Sequence, residues 1–358
     1  MYIKEVFIIP FNEISKHSKS TIKAFKLLNK SVVSVNEDAI VDYIDMISIG
    51  KIPYYLGVKD VKGINKDILS KLKKEGFICH TIDQKSVGGR AIDTMLINPL
   101  TGRFMTGSSS ATAINVLLGI NDIGIGTDGG GSVLAPAISV HLYSFLAKGL
   151  GLKLNQNKKS TDGISFEPGI GFISKNLNIL CKVINIFSNE YNKNINQANY
   201  TIEHIKYSED ESFDFTNLQP NITTKKINIY NNRKDLIKDL QSLKKENTIY
   251  ISYEKNIDTY GIGDSIVGTF STTGQNLQQE ANKGILRVLN MIDVNCLTIP
   301  DIELSSAFIL YSFDNNMVNK MLELGEKLDS LINKNNIFEN YFKDNYDFRS
   351  NSIIFDID

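Results

Sequence analysis

Two hydrophobic rhythms alternate along the chain. Between residues 23 and 46 the apolar positions recur at helical spacing and predict two helices broken near Val32–Val35. "YLGVKD" (Tyr55–Asp60) predicts a short strand. In "KDILSKLKKEGFICHTI" an amphipathic helix is stopped by Gly76 and followed by a buried strand at Phe77–Ile82. Ala111–Gly119 predicts a helix of small residues, "DIGIG" a strand, and Asn176–Phe187 another helix. Farther on, strands near Lys226–Tyr230 and Thr248–Tyr253 flank a helix at Arg233–Glu246. A long helix at Leu277–Met291 precedes the strand "CLTIP", and "FILYSF" predicts a strand before a helix at Asn316–Ile332. Strands alternating with helices in this way predict an α/β fold with a largely buried sheet. The polar stretches Lys153–Asp162 and Ser208–Asp214 read as surface loops, and Asn189–Pro220 carries no clear period.

Composition narrows the classes. A chain of 358 residues with 42% hydrophobic content can bury a large core. A formal charge of −1 leaves no basic footprint for nucleic acid. Cys79, Cys181 and Cys296 are far apart, with neither a disulfide framework nor zinc spacing. The opening "MYIKEVFIIPFNEISK" has an apolar patch too short for a signal peptide, and no run reaches the roughly 18 apolar residues of a membrane span. The expectation is a cytoplasmic protein with no membrane partner and no metal or other cofactor, for which a homodimer is open.

The densest chemistry lies in Gly124–Ala137, "GIGTDGGGSVLAPA". "GIGTDG" fits the G-x-G-x-x-G dinucleotide fingerprint. That fingerprint wants an acidic residue about 20 positions onward to hold a ribose, and no Asp or Glu occurs between Gly129 and Asp162. Pro136 also falls where the following helix should run, and no Walker A string exists. A phosphate loop is therefore the poorer reading. A serine ending a glycine run can instead have backbone N–H groups aimed at the carbonyl it attacks.

Such a serine needs a base. The histidines are His17, His80, His141 and His204, none in a triad context; His80 and His141 lie in apolar runs and read as packed core residues. A lysine in an apolar setting is the other candidate, because burial disfavours its charged form. "PYYLGVKDV" supplies Lys59, and a second glycine–serine cluster, "MTGSSSATA", spans Met105–Ala113.

These three pieces, in this order, resemble the amidase signature family of serine hydrolases. "TGSSSATAINVLLGINDIGIGTDGGGSVLAPA" follows the family pattern G-G-S-S-G-G-S, small-residue helix, G-T-D-x-G-G-S-[IV]-R-x-P-A, with Ser108 and Ser132 standing 24 positions apart as the pattern requires. "YYLGVKDVKG" is similar to its lysine motif, and the likeness extends from about Tyr54 to Ile332. The resemblance implies a single domain over residues 1–358, with a mixed, twisted sheet covered by helices on both faces. Its core motifs would span 54–190, an insert 189–225, the completion of the sheet 226–335 and a tail 336–358. It implies Ser132 as nucleophile, Ser108 as a bridging serine after a cis peptide bond, and Lys59 as general base. Gly129, Gly130, Gly131 and Ser132 would supply oxyanion-hole N–H groups, Thr127 and Asp128 would brace the loop, and Ser109 would support Ser108. Asp60, beside Lys59, is expected to face away.

The departures are specific. The family arginine after the nucleophile is Leu134, Ser110 and Ala111 replace two glycines, Thr106 replaces a third, and Tyr55 replaces a proline. The interval of 49 positions from Lys59 to Ser108 is short for the family. Three functions follow: hydrolysis of a small or extended carboxamide, acyl transfer to an amine through the same acyl-Ser132, or a non-catalytic binding subunit. The intact triad positions favour hydrolysis.

Overall fold

The structure is a computed structural model that describes residues 9–86, 92–160, 162–188, 200–206, 215, 218, 222–229, 231–257, 271–273 and 283–332. In chain order the helices are α1 (Ile9–Lys26), α2 (Ala39–Ser48), α3 (Lys66–Lys74), α4 (Ser110–Leu117), α5 (Leu134–Ser139), α6 (Leu177–Ser188), α7 (Arg233–Ser242), α8 (Leu286–Leu289) and α9 (Val318–Leu331). The strands are β1 (Val32–Val35), β2 (Tyr54–Lys59), β3 (Phe77–Asp83), β4 (Ile92–Ile97), β5 (Phe104–Thr106), β6 (Ile123–Asp128), β7 (Tyr143–Ala147), β8 (Lys158–Lys159), β9 (Ser165–Phe166), β10 (Gly169–Ser174), β11 (Thr201–Lys206), β12 (Thr223–Lys226), β13 (Thr248–Glu254), β14 (Asn295–Pro300) and β15 (Ala307–Ser312). Eleven of them form one mixed sheet in the order β1-β3-β2-β6-β10-β7-β14-β15-β13-β11-β12.

Both faces of the sheet are covered, as the alternation along each strand shows. Phe145 of β7, Leu297 of β14, Leu310 of β15 and Ile251 of β13 pack in one cluster with α3, α6 and α9. Their neighbours Leu146, Cys296, Ile309 and Tyr250 pack in another with α5, α7 and α8. Helix α4 adds Ala113, Ile114 and Val116 to a third cluster, with Val133 of the following loop.

A column of glycines sets how closely α4 approaches the sheet. A Cβ at Gly124 would stand 2.3 Å from Thr112 Cγ2, and one at Gly126 would stand 2.7 Å from Ser109 Oγ and 3.0 Å from Val133 Cγ2. The glycines of "GIG" are thus strand residues that admit a helix, where the fingerprint reading would have made them a loop around a phosphate. Strands β2 and β6 run parallel, with Gly57 opposite Gly124 and Val58 opposite Ile125. Lys59 and Asp128 therefore end adjacent parallel strands, at the edge where α/β folds place their ligands.

Several boundaries differ from the sequence reading. The break at Val32–Val35 is a strand, because it pairs antiparallel with β3. The helix expected at Leu277–Met291 is not continuous: Lys283–Ile285 is non-helical, with Gly284 at φ +50°, and only Leu286–Leu289 is α-helical. The Glu254 carboxylate stands where a Gly284 side chain would be and accepts from the Ile285 N–H. The strand expected at Lys226–Tyr230 lies earlier, at Thr223–Lys226, since Arg287 takes the carbonyls of Ile229 and Asn231 into a turn. Helix α7 stops at Ser242. Within Lys153–Asp162 the pair Lys158–Lys159 forms a short ribbon with Ser165–Phe166. Most of the insert 189–225, the loop Ser208–Asp214 and the tail lie outside the described residues. Among the described residues the three cysteines are free, and no helix is long and apolar enough to cross a membrane.

Gly124→Ala should destabilise the protein by about 1–3 kcal/mol through overpacking against Thr112. Adding Thr112→Ser, which removes the clashing methyl and keeps the hydroxyl, should recover much of the loss in thermal melts. Additive losses in the double variant would show that the close approach of α4 is not what Gly124 provides.

Candidate active site

Lys59 lies at the end of β2 with its ammonium end buried between β6 and the start of α4. Its Nζ is 2.7 Å from Ser108 Oγ, 3.1 Å from Ser109 Oγ, 3.2 Å from Thr127 Oγ1 and 3.4 Å from the Thr127 carbonyl oxygen. Asp60, one residue beyond the end of β2, is exposed. Among the described residues no carboxylate is a hydrogen-bond partner of the amine. Burial pushes its pKa down to about 7; Asp128 opposes the shift, while Lys158 and Lys85 add to it. Near neutral pH the amine can therefore exist uncharged, with a lone pair and two N–H groups. The Thr127 carbonyl can only accept, so the 2.7 Å contact to the Ser108 hydroxyl is the natural one for the lone pair.

The glycine loop is braced from beneath by Asp128. Its buried carboxylate accepts from the N–H groups of Gly131 (2.7 Å), Val133 (2.6 Å) and Leu134 (3.3 Å). Desolvation nevertheless raises the Asp128 pKa against those bonds. Of the four N–H groups expected to face an oxyanion, that of Gly131 is thus already engaged, and those of Gly129, Gly130 and Ser132 have no partner among the described residues. Ser109 joins the two motifs, donating its N–H to the Ser132 carbonyl (3.3 Å) while its hydroxyl meets Lys59. Around this corner Ser108, Gly129, Gly130 and Ser132 are half-buried, whereas Lys59, Ser109, Thr127 and Asp128 are buried. The half-buried groups are those a ligand can touch.

Two expectations are altered. The peptide bond before Ser108 is trans; the chain reverses there through Gly107 at φ +70°, whose Cβ position would meet Pro136 at 2.9 Å. Thr127 contacts Lys59 through both its hydroxyl and its carbonyl, so it braces the lysine more directly than the loop. Among the described residues no hydrogen bond links the Ser132 and Ser108 hydroxyls. His80 is a core residue: it stacks on Tyr55 at 4.0 Å, its ring nitrogens meet Asn121 and Thr21, and burial lowers its pKa to about 4. His141 is likewise buried.

Asn290 carried no motif, yet it ties the glycine loop to β10. Its amide donates to the carbonyls of Gly129 (3.4 Å) and Glu167 (3.1 Å) and accepts from the Gly169 N–H (2.7 Å). Its one sequence signal is a polar residue inside the otherwise apolar run Val288–Ile292.

No family model matches the chain, and no curated protein matches it. Solved structures do. An amidase superposes with a TM-score of 0.55 at 13% identity, over 89% of this chain and 96% of the other. The peptide amidase of Stenotrophomonas maltophilia gives 0.55 at 10% identity, over 91% and 97%. The allophanate hydrolase of Kluyveromyces lactis gives 0.54 at 13% identity, over 91% and 73%. The chain therefore has the fold of the amidase signature enzymes.

Lys59 also has a measurable effect on stability. Its pKa is about 7 folded and near 10.5 unfolded, so between those values the unfolded chain binds the extra proton. The lysine's contribution to stability is then least favourable below pH 7 and rises as pH increases through that window. The stability of wild type relative to Lys59→Met should grow between about pH 6.5 and 9.5, by at most about 4 kcal/mol, in urea unfolding. A flat difference would mean that Lys59 titrates as if in water.

Proposed function

We propose that this protein is an amide hydrolase that cleaves a carboxamide C–N bond through an acyl-Ser132 intermediate. The observation that carries the proposal is the 2.7 Å contact between Ser108 and a lysine amine buried without a carboxylate partner among the described residues. Neutral Lys59 accepts the Ser108 proton as Ser108 takes that of Ser132, and Ser132 Oγ adds to the carbonyl carbon. The N–H groups of Gly129, Gly130 and Ser132 face the oxyanion, stabilising charge where it develops. The proton returns through Ser108 to the leaving amine, and water then releases the acyl group by the same relay. The Ser108–Ser132 link closes when substrate is bound, since catalytic hydrogen bonds are often long in the free enzyme. The comparison structures include enzymes described as amidases, which supports the reaction class.

A fluorophosphonate should label Ser132 and no other residue. The labelling rate should rise with pH through one ionisation near 7, because the base must be deprotonated. Ser132→Ala should abolish labelling, and Ser108→Ala should slow it by roughly 10²–10⁴. Lys59→Ala should remove the ionisation, and Lys59→Arg should not restore the rate, because arginine stays protonated. Labelling of Ser132 with an unchanged pH profile in Lys59→Ala would place the base elsewhere.

A further inference from the structure

Two side chains outside every sequence motif, Phe166 and Arg233, stand against the half-buried glycines, beside the Arg287 carbonyl, which a Cβ at Gly130 would approach to 3.3 Å. A Cβ at Gly129 would stand 2.5 Å from the Phe166 ring, so that ring lies directly against the backbone there. A Cβ at Gly130 would stand 3.6 Å from Arg233 Nη1. Arg233 is the first residue of α7, and the turn before it is pinned by Arg287, which donates to the carbonyls of Ile229 and Asn231. Asp162, in the connection between β8 and β9, accepts from Arg233 Nε at 2.8 Å and from Nη2 at 2.6 Å.

An isolated surface pair of this kind contributes little to stability, but its geometry has a second consequence. A guanidinium carries five N–H donors in a rigid plane. Asp162 takes the Nε and Nη2 edge, which leaves the two Nη1 donors on the side of the glycine loop. They have no hydrogen-bond partner among the described residues. The side chain is only 14% exposed, so it cannot swing freely into water. Two further cations act on the same corner: Lys158, the cross-strand partner of Phe166, and Lys85 are both close enough to disfavour a charge on Lys59. Neither lysine forms an ion pair among the described residues. Asp128, the acid at this corner, has its carboxylate occupied by three backbone N–H groups.

We infer that Arg233, oriented by Asp162, binds a carboxylate of the substrate, so that the amide this site takes is an anionic one such as the half-amide of a dicarboxylic acid. Phe166 then covers the apolar carbons between carboxylate and amide, and Lys158 and Lys85 add to the attraction. The inference rests on the acyl-Ser132 reading for where the amide sits, and its test does not require turnover.

Binding to Ser132→Ala protein is measured by calorimetry with succinamate, glutaramate and adipamate, each against its neutral diamide. The expected result is that at least one half-amide binds about 10- to 100-fold tighter than its diamide, the range of a hydrogen-bonded charge pair. Adding Arg233→Gln should bring that ratio close to one. Arg233→Lys, which keeps the charge and loses the fork, should give an intermediate ratio, and Asp162→Asn should reduce it by releasing the guanidinium. Because the readout is a ratio within each variant, a misfolded protein is recognised by loss of both ligands; Arg233→Lys then decides. Equal binding within every pair, no binding by any half-amide, or a preference untouched at Arg233 would overturn the inference. Fluorophosphonate labelling of wild-type Ser132 reads the acyl-enzyme proposal separately: labelling without anion preference sinks only the inference, and anion preference without labelling sinks only the reaction.

Discussion

The arrangement depends on the burial of a single amine. An ammonium group removed from water needs a counter-charge or must give up its proton, and Lys59 is given hydroxyls and a carbonyl where a carboxylate would have kept it charged. Everything near it serves that imbalance. Asp60, just past the strand end, is exposed to solvent, and Asp128, whose charge acts on Lys59, spends its oxygens on three backbone N–H groups of the glycine loop. A carboxylate in hydrogen-bond contact with Nζ would restore the ordinary lysine pKa and leave no acceptor near neutrality.

That burial is possible only because β6 lacks side chains on one face. Gly124 and Gly126 let Thr112 and Ser109 descend onto the strand, and the N-terminal end of α4 is thereby set over the lysine. The same six-residue string could have been a nucleotide loop, and its glycines would then have served a turn. Strand pairing decides the matter: Gly124 opposes Ile173 and Gly126 opposes Gly171 on β10, so the glycines lie inside the sheet. The catalytic-looking loop begins only after Asp128. Its backbone is held by that side chain, through N–H groups, from below and by Asn290, through the Gly129 carbonyl, from the side.

What was legible in the sequence follows from how local each feature is. The serine clusters and the lysine could be located because their neighbours are glycines and small residues whose roles are steric and confined to a few positions. Elements with one solvated side, such as α3 with its Asn65 cap and Gly76 stop, also declared themselves. Strands β7 and β10 were not singled out in the sequence, since both of their faces are buried and no polar face marks them off. The helix expected across Leu277–Met291 failed at Gly284, where a long-range contact with Glu254 sets the backbone. Asn290, Phe166 and Arg233 reach the glycine loop from distant parts of the chain, and no local pattern announces a contact of that range. The trans bond before Ser108 belongs to the same class, since the turn there is shaped by Gly107 against Pro136.

The cations at the mouth and the buried base are coupled through the same field. Lys158 and Lys85 help to strip the proton from Lys59, which makes the free amine available but also makes it a weaker base. A carboxylate seated against Arg233 would offset part of that field. The affinity of Lys59 for a proton would then increase when the amide is in place, at the moment when, in the proposed relay, Ser108 releases one. A neutral amide would leave the field unscreened and meet a base that is deprotonated yet reluctant to accept. Selection for an anionic substrate would in this way arise from the proton relay as well as from binding, because the charge that orients the substrate also tunes the group that activates Ser132.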